Sequence, residues 1–309
     1  MIAAVAVIII IVGIVSYISL FSYDIQEAND LVQQANREIQ NGNTLLTTSV
    51  SEQIAEYRKI TFDLDTESEL QNEIQYAKTT SQSAQHLTGT VTTIKGHFNN
   101  SRNYFSQTHD LRLPAWYHDY IDLKIKAIDK DLERMSKIEE LINNYILYYG
   151  FAEKYLQGRD ELLTLMDALE DGLDDVESGD FSSGASAFQT ALSQLRESTV
   201  QFEDASNIIS LDSLDELLDQ MEHIDTALES LSDATQFLSS GDISRAMSLL
   251  ALANDELAGV EKAPTALLED QIDSWYDTHI LGLLTEIEHL LNQVTQYEQD
   301  AQDLYDQHT

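Results

Sequence analysis

The stretch Tyr276-Asp-Thr-His-Ile280-Leu-Gly-Leu283-Leu-Thr-Glu-Ile287-Glu-His-Leu290-Leu-Asn-Gln-Val294-Thr-Gln-Tyr297-Glu-Gln-Asp-Ala301-Gln-Asp-Leu304 sets an apolar or aromatic side chain at alternating steps of four and three. Steps of that size gather side chains on one stripe of an α-helix, the seam of a coiled coil. Neighbouring segments supply matching seams of similar length. An intramolecular antiparallel bundle is therefore expected in preference to a dimeric coiled coil.

Working outward, the same period returns. Ile121, Ile125, Ile128, Leu132 and Met135 form one seam, carried on by Ile142, Ile146 and Tyr149, behind Pro114 at a position that suits a helix's first turn. Leu70, Ile74, Ala77, Ala84, Leu87, Val91, Ile94 and Phe98 form another, opened by the capping box Thr66-Glu-Ser-Glu69. Ser213-Leu-Asp-Glu216 reads as a second box, ahead of Leu217, Met221, Ile224, Leu228, Leu231 and Leu238. Asn41-Gly42-Asn43 reads as a stop, Gly150 and Gly158 as a bend or break, and the last helix is expected to follow Pro264. No window shows the period-2 alternation of strands, so the fold class is all-α.

Residues 2–23 read Ile-Ala-Ala-Val-Ala-Val-Ile-Ile-Ile-Ile-Val-Gly-Ile-Val-Ser-Tyr-Ile-Ser-Leu-Phe-Ser-Tyr, without one Asp, Glu, Lys, Arg or His. As a helix this run reaches roughly 33 Å, enough to cross a hydrocarbon core of about 30 Å. It is apolar all round, so lipid or the centre of an oligomer has to surround it. A cleaved signal peptide is the competing reading, but the run is longer than such segments and ends without a small-residue cleavage pattern. The flank carries Asp24, Glu27 and Asp30, with the first basic residue at Arg37. That is a poor cytoplasmic side, so a single-pass anchor with its C-terminal body outside the cell is expected. Three parts follow: an anchor over 1–23, a membrane-proximal helical region over 24–113, and a helical bundle over 114–309.

All 54 acidic and 17 basic residues lie beyond Tyr23 and give a net charge of -37. A surface of that sign cannot release counterions from phosphates, which excludes nucleic acid as a partner, and it repels anionic headgroups. It suits a salty exterior, where ions screen the self-repulsion. The absence of cysteine excludes disulfides, thiolate chemistry and Cys-ligated zinc. The eight histidines show no His-Glu-x-x-His spacing, and Glu170–Asp180 is dense in carboxylates without the ligand order of an EF-hand. No phosphate-binding loop, nucleophile elbow or dinucleotide fingerprint occurs, so neither an enzyme nor a cofactor or metal site is expected. Asn99-Asn100-Ser101 fits the glycosylation acceptor pattern at Asn99.

Two stretches repeat at an offset of 62: Ser178-Gly-Asp-Phe-Ser-Ser-Gly-Ala-Ser-Ala-Phe-Gln-Thr-Ala191 and Ser240-Gly-Asp-Ile-Ser-Arg-Ala-Met-Ser-Leu-Leu-Ala-Leu-Ala253. In each, glycine suits a left-handed turn and aspartate the cap of the next helix. Gly179, Asp180, Phe181, Phe188 and Ala191, with Gly241, Asp242, Ile243, Ala246, Leu250 and Ala253, resemble the turn and second helix of a tetratricopeptide hairpin. Gly172 and Phe237 fall where that family wants a small residue and an aromatic. Gly184 replaces the expected alanine, and a stacked array would repeat about every 34 residues. The resemblance implies isolated hairpins of this kind inside a bundle, and a binding scaffold.

A weaker echo joins Trp116-Tyr117 to Trp275-Tyr276, each near a proline-marked helix start, as a candidate interaction patch. The function expected is a membrane-anchored helical scaffold or protein-interaction protein of the cell surface. Its expected partners are lipid through residues 2–23 and a protein or another copy of the chain. A surface-filament subunit packed through the apolar helix, and a sensory or ligand-binding ectodomain, are the alternatives.

Overall fold

The structure, a computed structural model, describes residues 23–64, 66–260 and 265–308. Among them there is no strand. The helices are α1 (Ile25–Leu45), α2 (Glu52–Ala55), α3 (Glu67–Gln107), α4 (Ala115–Ser178), α5 (Phe181–Ile208), α6 (Asp212–Ser240), α7 (Ile243–Gly259), α8 (Thr265–Tyr276) and α9 (Gly282–Asp306). The protein is an all-helical bundle. Among the described residues no helix is long and apolar enough to cross a membrane. The anchor expected over 1–23 lies outside them except for Tyr23, as does Pro264.

The described chain divides into two compact units. Unit 1 gathers α1 and α2, residues 87–140 of α3 and α4, and residues 283–309; unit 2 gathers residues 57–86 and 141–282.

Unit 1 is an antiparallel arrangement of α1, the second half of α3, the first third of α4, and α9. The pairings run in opposite directions, as antiparallel neighbours require. His97 on α3 meets Glu38 on α1 at 2.6 Å, Lys95 meets Glu139 on α4 at 2.7 Å, and Arg102 meets Asp129 at 2.6 Å. On α9, Glu286 pairs with Lys137 at 3.0 Å and Glu298 with Lys124. The seams turn inward: Val91, Ile94, Phe98, Ile121, Ile128, Met135, Leu283, Leu290, Val294 and Ala301 are buried. The stop expected at Asn41-Gly42-Asn43 is absent. The helix continues to Leu45 and passes into a turn of π-helix, Leu46–Ser51. Gly42 serves packing instead, since a Cβ there would meet the Phe98 ring at 3.0 Å.

Unit 2 contains a segment without helix, residues 57–64, whose backbone is satisfied by side chains. The Arg58 amide donates to the Tyr76 hydroxyl at 2.8 Å, and the Tyr149 hydroxyl donates to the Arg58 carbonyl at 2.7 Å. The Ile60 amide donates to the Tyr148 hydroxyl at 3.0 Å, while Arg159 donates to the carbonyls of Phe62 and Leu64. Ile60 and Phe62 alternate inward. A layer of edge-on rings receives them: Phe62 lies 5.6 Å from Tyr155 and 6.3 Å from Tyr148, and Tyr57 lies 5.1 Å from Tyr145. Unpaired buried peptide groups are costly, which explains why tyrosine and arginine line this part of α4 in place of leucine.

The rest of unit 2 packs the C-terminal part of α4 and α5, α6 and α7 in sequence order. Gly179 and Gly241 take φ of 84° and 80°, and the carboxylates of Asp180 and Asp242 accept from the amides of Ser183 and Arg245, each at 3.2 Å. Both turns thus have the geometry their residues imply. Gly150 and Gly158 do not break α4. A helix tolerates glycine for about 1 kcal/mol when packing rewards it. At Gly158 a Cβ would meet the Phe202 ring at 2.8 Å, and the Gly158 carbonyl accepts from the Ser198 hydroxyl at 2.7 Å. Gly184 is explained the same way, with Val176 2.8 Å from the position of an added Cβ.

Of the two capping boxes, that at Thr66 forms in half: its hydroxyl accepts from the Glu69 amide at 3.4 Å, and the Glu69 carboxylate accepts from that hydroxyl at 2.7 Å. The one at Ser213 does not. The helix starts at Asp212, so Ser213 lies within its first turn, 1% exposed, its amide donating to Gln271. The closing helix is likewise not one uninterrupted α-helix, because a π-turn, Asp277–Leu281, separates α8 from α9.

Candidate functional site

The structure places Trp116-Tyr117 in unit 1 and Trp275-Tyr276 in unit 2, as two separate aromatic corners. They are built alike. In each, the tyrosine is buried, 2% exposed for Tyr117 and 8% for Tyr276, while the tryptophan stays half-buried with a histidine stacked on it. Trp116 stacks on His308 at 5.0 Å and 10°, Trp275 on His279 at 4.5 Å and 17°.

The unit 1 corner begins at Pro114, whose carbonyl accepts from the amides of Tyr117 and His118. The Tyr117 hydroxyl donates to Asn29 of α1 at 2.7 Å. Tyr305 of α9 approaches the rings of Trp116, at 6.3 Å, and Tyr120, at 5.6 Å. Burial pushes the phenols of Tyr117 and Tyr120 up to about 12. Both are neutral hydrogen-bonding groups at any physiological pH. Just before this corner, the Asp24 amide donates to the Arg112 carbonyl at 2.9 Å and the Arg112 amide donates to the Asp24 carboxylate at 3.0 Å. The chain that enters at Tyr23 is thereby fixed beside the loop that leads to Trp116. Beneath the corner, farther along α4, Asp131 and Arg134 form a buried pair at 2.6 Å, 5% and 7% exposed. Burial pushes the Asp131 carboxyl up to about 6, against the pull of Arg134, and lowers Arg134.

The unit 2 corner borders a cleft of about 370 Å³ lined by Ser210, Asp212, Gln271, Trp275, Thr278 and His279. Trp275 also lies nearly parallel to Tyr148 at 6.4 Å, and Asn144 donates to the His279 carbonyl at 2.8 Å. These contacts tie both rings into the aromatic layer behind residues 57–64, and the corner is part of unit 2's packing. A larger cleft, about 580 Å³, lies between α5 and α6, with Val200, Leu218 and Met221 as its apolar part and Glu203, Asp219, Glu222 and Asp225 around them. Arg196 pairs there with Asp225 at 2.7 Å.

Asn99 is exposed on α3, its amide nitrogen donating to the Lys95 carbonyl at 2.9 Å, while Ser101 of the same tripeptide is fully buried. Among the described residues no group of three His, Asp or Glu side chains is placed to hold a metal ion. Sequence reasoning passed over Tyr120, Tyr305 and His308. Tyr120 stands one helical turn beyond Trp116, a spacing that could have found it; His308 carried no such signal. No family model, curated protein or solved structure matches the chain.

Proposed function

We propose that the protein is a single-pass, membrane-anchored helical scaffold whose acidic body stands outside the cell and engages other proteins through its helix faces. The observation that carries this reading is the uncharged run of residues 2–22 joined without a spacer to an all-helical body that holds every charge of the chain. A body this acidic repels itself and other acidic surfaces, which suits a spacer or binding platform. The two Gly-Asp hairpins favour the tetratricopeptide-like kind of platform, in which paired helices present a groove. The cleft between α5 and α6, where four carboxylates outnumber Arg196 around Val200, Leu218 and Met221, has the chemistry of a surface for a basic partner. No step of chemistry is assigned to it.

The test is fractionation of cells producing the full chain and a variant lacking residues 2–22. The full chain should sediment with membranes and be digested by protease added to intact cells, and the truncated chain should be released. Recovery of both chains in the soluble fraction would end the proposal.

A further inference from the structure

The aromatic end of unit 1 lies where the apolar run joins the body, and the geometry there leaves almost no slack. Asp24 is held to Arg112 by two hydrogen bonds, one in each direction. Only Tyr23 separates that clamp from the 22 residues that precede it. One residue spans at most about 3.6 Å, so a bilayer entered by the leading run has to lie against whatever surrounds the clamp.

Among the groups that surround it is a cluster of aromatic rings. Tyr23 is 53% exposed, Ile25 38% and Tyr305 36%, and the half-buried rings of Trp116 and Tyr120 adjoin Tyr305. His308 extends the cluster by stacking on Trp116. Tryptophan and tyrosine pair an apolar ring with one polar atom, which is the chemistry enriched where a protein crosses from hydrocarbon to headgroup. The carboxylates close by disfavour anionic lipid: Asp24, Glu27 and Asp30 where the chain enters, Asp119 between Trp116 and Tyr120, and Asp303 and Asp306 either side of Tyr305; the contact is therefore with zwitterionic headgroups.

We infer that this end of unit 1, centred on Trp116, Tyr120 and Tyr305, is a membrane-contact surface that rests at the headgroup level of a zwitterionic bilayer and fixes the body against it. The inference rests on the reading of residues 2–22 as an anchor. Its chemistry differs from the anchor's, since it acts through amphipathic rings of the folded body.

The chain has only two tryptophans and no cysteine, which makes the test direct. The full chain carrying Trp275→Phe, reconstituted in phosphatidylcholine vesicles, reports on Trp116 alone. Adding phosphatidylcholine with a nitroxide on the headgroup should lower its emission about twofold, as for an interfacial ring. A dye on Thr44→Cys, an exposed site nineteen residues along α1 from Ile25, should hold its emission. If Trp275→Phe disturbs the fold, a polarity-sensitive dye on Gln307→Cys, beside His308, replaces the tryptophan readout. A chain that floats with the vesicles while Trp116 and Gln307 stay unquenched overturns the contact and leaves the anchor standing. A chain that does not float at all overturns both.

Discussion

Two glycines eight residues apart in α4 give opposite expectations for the same substitution. At Gly150 an added Cβ would find only the Ile208 side chain, at 3.7 Å, an ordinary contact. Gly150→Ala should therefore gain most of the helix-propensity difference, about 1 kcal/mol. At Gly158 the same Cβ would stand 2.8, 2.9 and 3.0 Å from three atoms of the Phe202 ring. Phe202 is fully buried, and the Gly158 carbonyl is held by Ser198, so neither side can give way cheaply. Overpacking of this kind costs about 1–3 kcal/mol; three atoms inside contact distance place it near the top, so the net change is a loss of about 2 kcal/mol. The two variants should then differ by about 3 kcal/mol, roughly 6–12 °C in Tm for a unit of this size. Urea and thermal melts of the full chain followed by circular dichroism measure it. Equal shifts of the same sign would refute the close approach of α4 and α5 at Gly158.

Gly241→Ala, at a φ of 80° where L-residues are strained, should destabilise by about 1 kcal/mol while leaving the helical content unchanged, read from the same melts. Arg159→Met removes the donor to two carbonyls of residues 57–64 and should cost about 2–3 kcal/mol, with faster amide hydrogen exchange confined to that segment and its aromatic layer. The Asp131 carboxyl, raised from 3.8 to about 6, contributes stability that is fully present below pH 3.8 and lost as pH rises through 6. Wild type should therefore lose roughly 2 kcal/mol more than Asp131→Asn between pH 4 and 7, measured by urea titration at each pH.

The helical class and most of the core were legible because the seams repeat with a helix's own period. Every seam residue from Leu70 through Phe98 is buried, as are Ile121, Ile128, Met135, Leu283, Leu290, Val294 and Ala301, while Ile125, Leu132, Ile287 and Tyr297 at the same spacing are half-buried. The two Gly-Asp turns were legible for a similar reason, since the left-handed φ and the capping carboxylate are local requirements that the residues at those positions state. Gly42, Gly150 and Gly158 read as punctuation in the sequence, which is what glycine means when only its neighbours are known. In the folded chain Gly42 and Gly158 are apertures for Phe98 and Phe202, rings 56 and 44 residues away, and no local window holds that information. The segment at residues 57–64 shows the same limit from the other side. Tyr57 continues the spacing of Leu46, Val50 and Ile54 in sequence, yet residues 57–64 leave the helix, and their partners are the run Tyr145-Ile-Leu-Tyr148-Tyr149, which reads as an ordinary seam until its hydroxyls are seen to serve someone else's backbone. Ser213 failed as a cap because Gln271, from a distant helix, supplies the acceptor for its amide. The aromatic corner at Trp116 follows this pattern too. The sequence offers the pair Trp116-Tyr117, yet the meeting of α1, α4 and α9 around it depends on contacts such as the Asp24–Arg112 clamp, across 88 residues. The packing around Trp116 is set by where helices end relative to one another, and sequence periodicity does not place that.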